Sequence, residues 1–175
     1  MVVMFYISAI VAVVSTVMVI TRYNAVHALL YLVVSLLSAA SIFFLLGAPF
    51  VAVLEIIIYA GAIMVLFIFV IMMLNLGRES AAQEKSWLDP KMWIGPSILA
   101  AVLGVEIIYI ILSGSGISSG VKEITPHTVA LNLYGPYLIG VELAAMLLLA
   151  GIIGAYHLGR RKRAAMHRFL QEENK

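Results

Sequence analysis

The segment FVAVLEIIIYAGAIMVLFIFVIMMLNL, residues 50–76, contains one charged side chain, Glu55, in an otherwise almost entirely apolar run. A helix needs roughly 20 apolar residues to cross the hydrocarbon core of a bilayer, which is about 30 Å thick. Because hydrocarbon offers the backbone no hydrogen-bond partner, a spanning segment must satisfy its N–H and C=O groups internally. The segment therefore predicts a transmembrane α-helix.

Apolar segments of similar length lie on both sides of this one. Together they predict five helices, at about residues 2–20, 25–46, 50–76, 92–112 and 137–157. A basic tail follows at residues 158–175. The strict alternation of apolar and polar residues that marks a membrane β-barrel strand is absent. The sequence thus predicts an all-α integral membrane protein, with five transmembrane helices in a single membrane domain of residues 1–175.

The composition excludes several other classes of protein. Apolar residues make up 63% of the chain and charged residues 11%, against about 45–50% and about 25% in soluble domains. So few charges cannot cover a water-facing surface, which excludes a soluble enzyme, a disordered regulator and a nucleic-acid-binding domain. The chain has no cysteine, which excludes thiolate-bound iron–sulfur clusters in it. The four histidines are scattered and predict no metal site, and no catalytic set of nucleophile and base is found.

The basic residues are distributed unevenly between the connections. Ten of the eleven Lys and Arg residues lie in the first connection, the third connection and the C-terminal tail, which share one side of the membrane. Lys122 alone lies on the other side. Because connections rich in Lys and Arg stay in the cytoplasm, the pattern predicts a cytoplasmic C-terminus and an N-terminus outside, in the periplasm.

Three acids lie within the predicted helices: Glu55, Glu106 and Glu142. Ionisable side chains are costly in lipid and usually face a bundle interior, a cavity or a partner. Each of the three is expected in the outer half of its helix, and none at the midplane. A functional acid and a structural acid, hydrogen-bonded or reaching the interface, are both open interpretations, and the structural one is favoured for Glu106.

The third helix combines an acid, a phenol and a turn of small residues. Glu55 and Tyr59 are four residues apart and are expected to share a helix face. Ala60, Gly61 and Ala62 follow at about mid-membrane, where small residues let a neighbouring helix approach closely. A mid-helix glycine also lowers the cost of local rewinding, such as a π-bulge. The pattern favours either a gate on a proton path or a tightly packed interface with one buried tyrosine hydrogen bond.

Three segments within residues 24–160 resemble a known family. They are Asn24–Leu32, Leu54–Leu76 and Gly135–Gly151. The pattern Glu-x-x-x-Tyr-Ala-Gly-Ala in the second segment is the most specific of the three. The chain resembles the J-subunit family of bacterial proton-pumping NADH:quinone oxidoreductase, respiratory complex I, whose mitochondrial counterpart is the sixth mitochondrially encoded subunit.

The resemblance implies a non-redox subunit of the membrane arm of that complex, in the bacterial inner membrane, with no complete catalytic site of its own. It implies a hetero-oligomer in which this chain packs among subunits of the A, K, H and N types. NADH, FMN, iron–sulfur clusters and quinone would be bound by other subunits, and no cofactor by this chain.

The resemblance also implies a set of coupling residues on the third helix. In this family the helix can carry a π-bulge, and its conversion to a regular helix would control water access between the quinone cavity and acids of neighbouring subunits. Carried over to this sequence, the residues at the switch and on the proton path are Glu55, Tyr59, Ala60, Gly61 and Val65.

Two further points stay open at this level. Glu142 matches the family pattern and is a possible secondary site. The function itself has two alternatives: a subunit of a related multi-subunit cation/proton antiporter, and a structural scaffold with no part in the proton path.

Overall fold

The computed structural model describes residues 2–22, 24–74, 90–112 and 123–160, and all regular secondary structure in these ranges is helical. The elements are α1 (Val2–Thr21), α2 (Ala25–Leu45), α3 (Pro49–Leu54), a π-helical segment (Glu55–Ile63), α4 (Met64–Leu74), α5 (Pro90–Leu112), α6 (Pro126–Leu133) and α7 (Leu138–Gly159). They belong to two compact units, Met1–Pro126 and His127–Lys175.

Five helices in the described ranges are long and apolar enough to cross a membrane. They are α1, α2, the continuous run from α3 through α4, α5 and α7, and they lie where the sequence predicts them. The all-α fold with five such helices is therefore confirmed, whereas the orientation of the termini and the single membrane domain stay predictions. Much of the charge on which the orientation rests, including Arg78, Lys85, Lys122 and the tail beyond Arg160, lies outside the described residues.

The core of the first unit lies between α1, α2 and α5. The central helix is α2, which packs against α1, α3, the π-helical segment, α4 and α5. A buried cluster joins Val11 of α1, Val34 of α2 and Leu103 of α5, with Leu37 and Leu99 packed against it. Because lipid tails are as apolar as these side chains, the cluster stabilises the bundle mainly through van der Waals packing.

Both ends of α2 are defined by specific residues. At its start, Oδ1 of Asn24 accepts hydrogen bonds from the backbone N–H groups of Val26 (3.0 Å) and His27 (3.3 Å), which a helix otherwise leaves unpaired. Beyond its end, Gly47 has a φ of +82°, and its carbonyl accepts a hydrogen bond of 2.8 Å from the Ile124 N–H. Glycine is the residue that adopts this left-handed conformation without strain, so it allows the tight turn into α3.

Replacing Gly47 with alanine is expected to destabilise the turn between α2 and α3. A Cβ in the left-handed conformation costs roughly 1–2 kcal/mol, whereas asparagine tolerates it better, so Gly47→Asn is the matched control. The melting temperature of the full chain in detergent should fall for Gly47→Ala and fall less for Gly47→Asn. A Gly47→Ala chain as stable as the wild type would contradict the left-handed turn.

Helices α2 and α5 approach each other closely where Tyr31 meets Gly95. A Cβ added to Gly95 would overlap the hydroxyl oxygen of Tyr31 and lie 3.1 Å from its Cζ. Tyr31 is only 4% exposed, and its ring centroid lies 5.0 Å from that of His27 and 5.6 Å from the guanidinium carbon of Arg22. Glycine at position 95 therefore makes room for a tyrosine that has neighbours on several sides.

The second unit contains one helix that the sequence does not predict. The interpretation from sequence is a single long connection between the fourth and fifth transmembrane helices, but α6 (Pro126–Leu133) lies within that connection. Proline suits the first turn of a helix because its missing N–H has no partner there anyway. At eight residues, α6 is too short for the hydropathy criterion that identifies spans, which explains why it was missed.

Candidate functional site

A π-helical segment, Glu55–Ile63, interrupts the third transmembrane helix. At its end the Met64 N–H donates to the carbonyl of Tyr59, five residues earlier. Hydrogen bonds of this i→i+5 kind define the π-helix, a rare form that is frequently found at functional sites. The segment contains the whole Glu-x-x-x-Tyr-Ala-Gly-Ala pattern, so the unusual winding and the most specific motif of the sequence coincide.

The π winding explains why position 61 is a glycine. A Cβ added there would lie 3.2 Å from the carbonyl oxygen of Ile56, five residues earlier. That contact is tight, and it arises because the π winding brings residues five apart into successive turns. Glycine avoids it, which gives a physical reason for a glycine in the middle of a transmembrane helix.

The π winding changes which side chains share a face. The shared face that the four-residue spacing predicts for Glu55 and Tyr59 stays a prediction, since in an i→i+5 winding both Tyr59 and Ala60 lie about one turn beyond Glu55. On either side of the segment, Ala52 (4% exposed) and Met64 (1% exposed) are both buried. In a continuous α-helix these two would lie about 120° apart around the axis. The wider turns between them allow both α3 and α4 to pack against α2.

The predicted coupling residues all lie on the π-helical segment or on the first turn of α4. Glu55, Ala60 and Gly61 are half-buried. Tyr59 is 50% exposed and Val65 is 63% exposed. These two side chains therefore lie outside the core of the first unit, where lipid or another protein chain can contact them.

Glu142, the possible secondary site, lies on α7 in the second unit and is exposed. An exposed acid within an apolar span is costly in lipid and is expected to have a partner or an aqueous path. Its role stays a prediction.

A buried polar pair joins α1 to α5, and the sequence singled out only one of its two members, Glu106. The Ser8 hydroxyl donates a 2.8 Å hydrogen bond to Oε2 of Glu106, and the two residues are 98 positions apart. Ser8 is fully buried, and Glu106 is 6% exposed. The hydrogen bond that the structural interpretation expects for Glu106 is therefore present, and it does not exclude a further role for the acid.

The only signal for this pair in the sequence is that both residues lie at a similar distance from the end of their predicted helices. Ser8 lies about six residues from the start of α1 and Glu106 about six from the end of α5, so both lie roughly 9 Å from the same side of the bundle. A serine in an apolar helix commonly bonds to the carbonyl four residues earlier, as Ser38 does here, so Ser8 alone carries no signal.

Comparisons with known proteins agree with the family resemblance of the sequence. The family model described as NADH-ubiquinone/plastoquinone oxidoreductase chain 6 matches residues 15–158, a range that includes the π-helical segment and Glu106. The match also covers residues from all five helices able to span a membrane.

Curated relatives are similar along most of their length. The chain is 57% identical over 160 residues to NADH-quinone oxidoreductase subunit J of Pseudomonas aeruginosa, covering 90% of this chain and 95% of the relative. It is 53% identical over 160 residues to subunit J of Escherichia coli, covering 91% and 87%. A subunit J of Buchnera aphidicola is 48% identical over 159 residues, covering 91% and 98%. With the motif, the five apolar helices and these matches, the chain belongs to the NADH-ubiquinone/plastoquinone oxidoreductase chain 6 family.

Proposed function

We propose that this chain is a membrane-arm subunit of a proton-translocating NADH:quinone oxidoreductase and that its third helix helps couple quinone reduction to proton translocation. The family and the subunit J relatives support the first part. The observation that carries the second part is the π-helical winding of Glu55–Ile63 at the family's most specific motif.

Rewinding of the π-helical segment would move the side chains beyond it. If α3 keeps its position on α2, conversion to a regular α-helix changes the angle between Ala52 and Met64 to about 120°. Met64 would then leave its buried position, and Val65 would turn with it. A local change in hydrogen bonding thus becomes a rotation of α4, which is the kind of two-state element that a coupling mechanism requires.

The groups on this segment suit a proton path that neighbouring chains complete. Glu55 can bind and release a proton, and the phenol of Tyr59 can donate and accept hydrogen bonds. Tyr59 lies outside the core of the first unit, where another subunit can contact it. Glu55 alone cannot carry a proton across the bilayer, so its role is a contribution to a path shared with other subunits.

We also propose an orientation in the membrane and a set of partner subunits for the chain. The N-terminus is periplasmic and the C-terminus cytoplasmic, in a bacterial inner membrane, with subunits of the A, K, H and N types as partners. NADH, FMN, iron–sulfur clusters and quinone are bound by other subunits. The charge distribution supports the orientation, and the names of the bacterial relatives support the complex.

Removing the ionisable groups of the segment tests the proposal. Glu55→Gln and Tyr59→Phe should assemble into the complex and lower its proton pumping per assembled complex. For Tyr59→Phe the expected loss is about 2- to 10-fold, because a hydrogen bond contributes about 0.5–1.5 kcal/mol. Pumping is measured in inverted membrane vesicles, with the assembled amount determined on native gels.

The matched control is Tyr109→Phe, which removes a phenol of similar exposure, 58%, from α5. It should leave pumping unchanged. Normal pumping by both Glu55→Gln and Tyr59→Phe would contradict the coupling role and leave the chain a structural scaffold.

A further inference from the structure

The buried acid Glu106 has a polar atom without a hydrogen-bond partner among the described residues. Its Oε2 accepts the hydrogen bond from Ser8, whereas Oε1 is buried and has no hydrogen-bond partner among the described residues. A buried polar atom without a partner is rare in folded proteins and calls for an explanation. The acid joins α5 to α1 and is not part of the π-helical segment that carries the proposed coupling role.

Among the helices that surround this acid, α1, α2 and α5, Lys91 is the one Lys or Arg residue, and it lies about 22 Å from Glu106 along α5. Neither α1 nor α2 contains Asp, Glu, Lys or Arg, and Glu106 is the only such residue between positions 93 and 112. Arg22 follows the opposite end of α1, about 21 Å from Ser8 along the helix. The other ionisable groups on these spans are Tyr6, His27, Tyr31 and Tyr109.

We propose that Glu106 and Ser8 form a proton-binding site in the interface of α1 and α5. A carboxylate buried in an apolar bundle would have one neutral hydrogen bond to offset the loss of its hydration, which is far too little. A neutral carboxylic acid avoids that cost. With Ser8 donating to Oε2, the acidic proton lies on Oε1, the oxygen without a partner.

The arrangement leaves the Oε1–H group free to donate its proton. A water molecule entering from the nearby end of the bundle, roughly 9 Å away, is the acceptor that the geometry favours. The site thus binds one proton and releases it only when water at Oε1 hydrates the carboxylate that remains, and no covalent bond other than O–H changes. This role is independent of the third helix, so its failure would leave the proposed function standing.

Infrared difference spectroscopy of the purified complex tests the proposal directly. The spectrum of the wild type minus that of Glu106→Gln should show the C=O stretching band of a protonated carboxylic acid at neutral pH. The band should shift in D2O, because the proposed proton exchanges. Carboxylate bands in this difference spectrum in place of the C=O band, or a C=O band that D2O does not shift, would overturn the proposal.

Variants of the serine give a test that keeps the acid in place. Ser8→Ala removes the hydrogen bond to Oε2, so the C=O band should persist and move to higher frequency. Ser15→Ala is the matched control, because Ser15 is also fully buried on α1 but has no hydrogen bond to Glu106, and it should leave the band in place. If Glu106→Gln does not assemble, the spectrum of the wild type minus that of Ser8→Ala decides, and an unmoved band overturns the site.

Discussion

Replacing Gly61 with valine is expected to lower proton pumping by the complex much more than it lowers assembly. In the π-helical form a Cβ at this position lies 3.2 Å from the carbonyl oxygen of Ile56, and the branched side chain adds further contacts. Valine is also a better α-helix former than glycine by a few tenths of a kcal/mol. Together these effects should favour the α-helical form by about 1 kcal/mol, a roughly fivefold change in the equilibrium between the two windings.

The measurement compares pumping per assembled complex in inverted vesicles with the assembled amount on native gels. Gly104→Val is the matched control, because Gly104 lies in a regular transmembrane α-helix and a Cβ there meets nothing within 4 Å. Normal pumping by an assembled Gly61→Val complex would contradict the coupling proposal. Equal losses for Gly61→Val and Gly104→Val would assign the effect to the added volume and not to the winding.

Replacing Gly95 with alanine is expected to separate α2 from α5. The new Cβ overlaps the hydroxyl oxygen of Tyr31, and the buried ring has little room to move because His27 and Arg22 lie against it. Adding one carbon to a packed interior costs about 1–3 kcal/mol. The amount of subunit in the membrane and its assembly into the complex should therefore fall several-fold.

A double variant separates this contact from a general effect of alanine. Tyr31→Phe removes the overlapping oxygen, so Gly95→Ala with Tyr31→Phe should recover part of the assembly lost in Gly95→Ala alone. Recovery is incomplete because Cζ remains 3.1 Å from the new Cβ. Strictly additive losses would show that the two residues do not interact and would contradict the close approach of α2 and α5. Gly104→Ala on the same helix should assemble normally.

The candidate site could be predicted from sequence only in part. The motif around Glu55 and Gly61 identifies the segment, since an acid is unusual in an apolar span and a mid-membrane glycine lowers the cost of π winding. The four-residue spacing also predicts a shared face for Glu55 and Tyr59, which stays a prediction, whereas the π winding of the segment has no signature in its hydropathy. Ser8 gave no usable signal, because its importance depends on a partner 98 residues away.

The sequence by itself determined the class of fold and the number and positions of the membrane-spanning helices. Those properties are local: a run of about 20 apolar residues whose backbone must be paired internally becomes a helix in lipid regardless of its neighbours. The tertiary structure decided which faces meet, and with them the Ser8–Glu106 pair, the contact of Tyr31 with Gly95 and the common burial of Ala52 and Met64. In spans that are apolar on nearly every face, hydropathy cannot distinguish one face from another, so close packing and the few polar groups decide the arrangement.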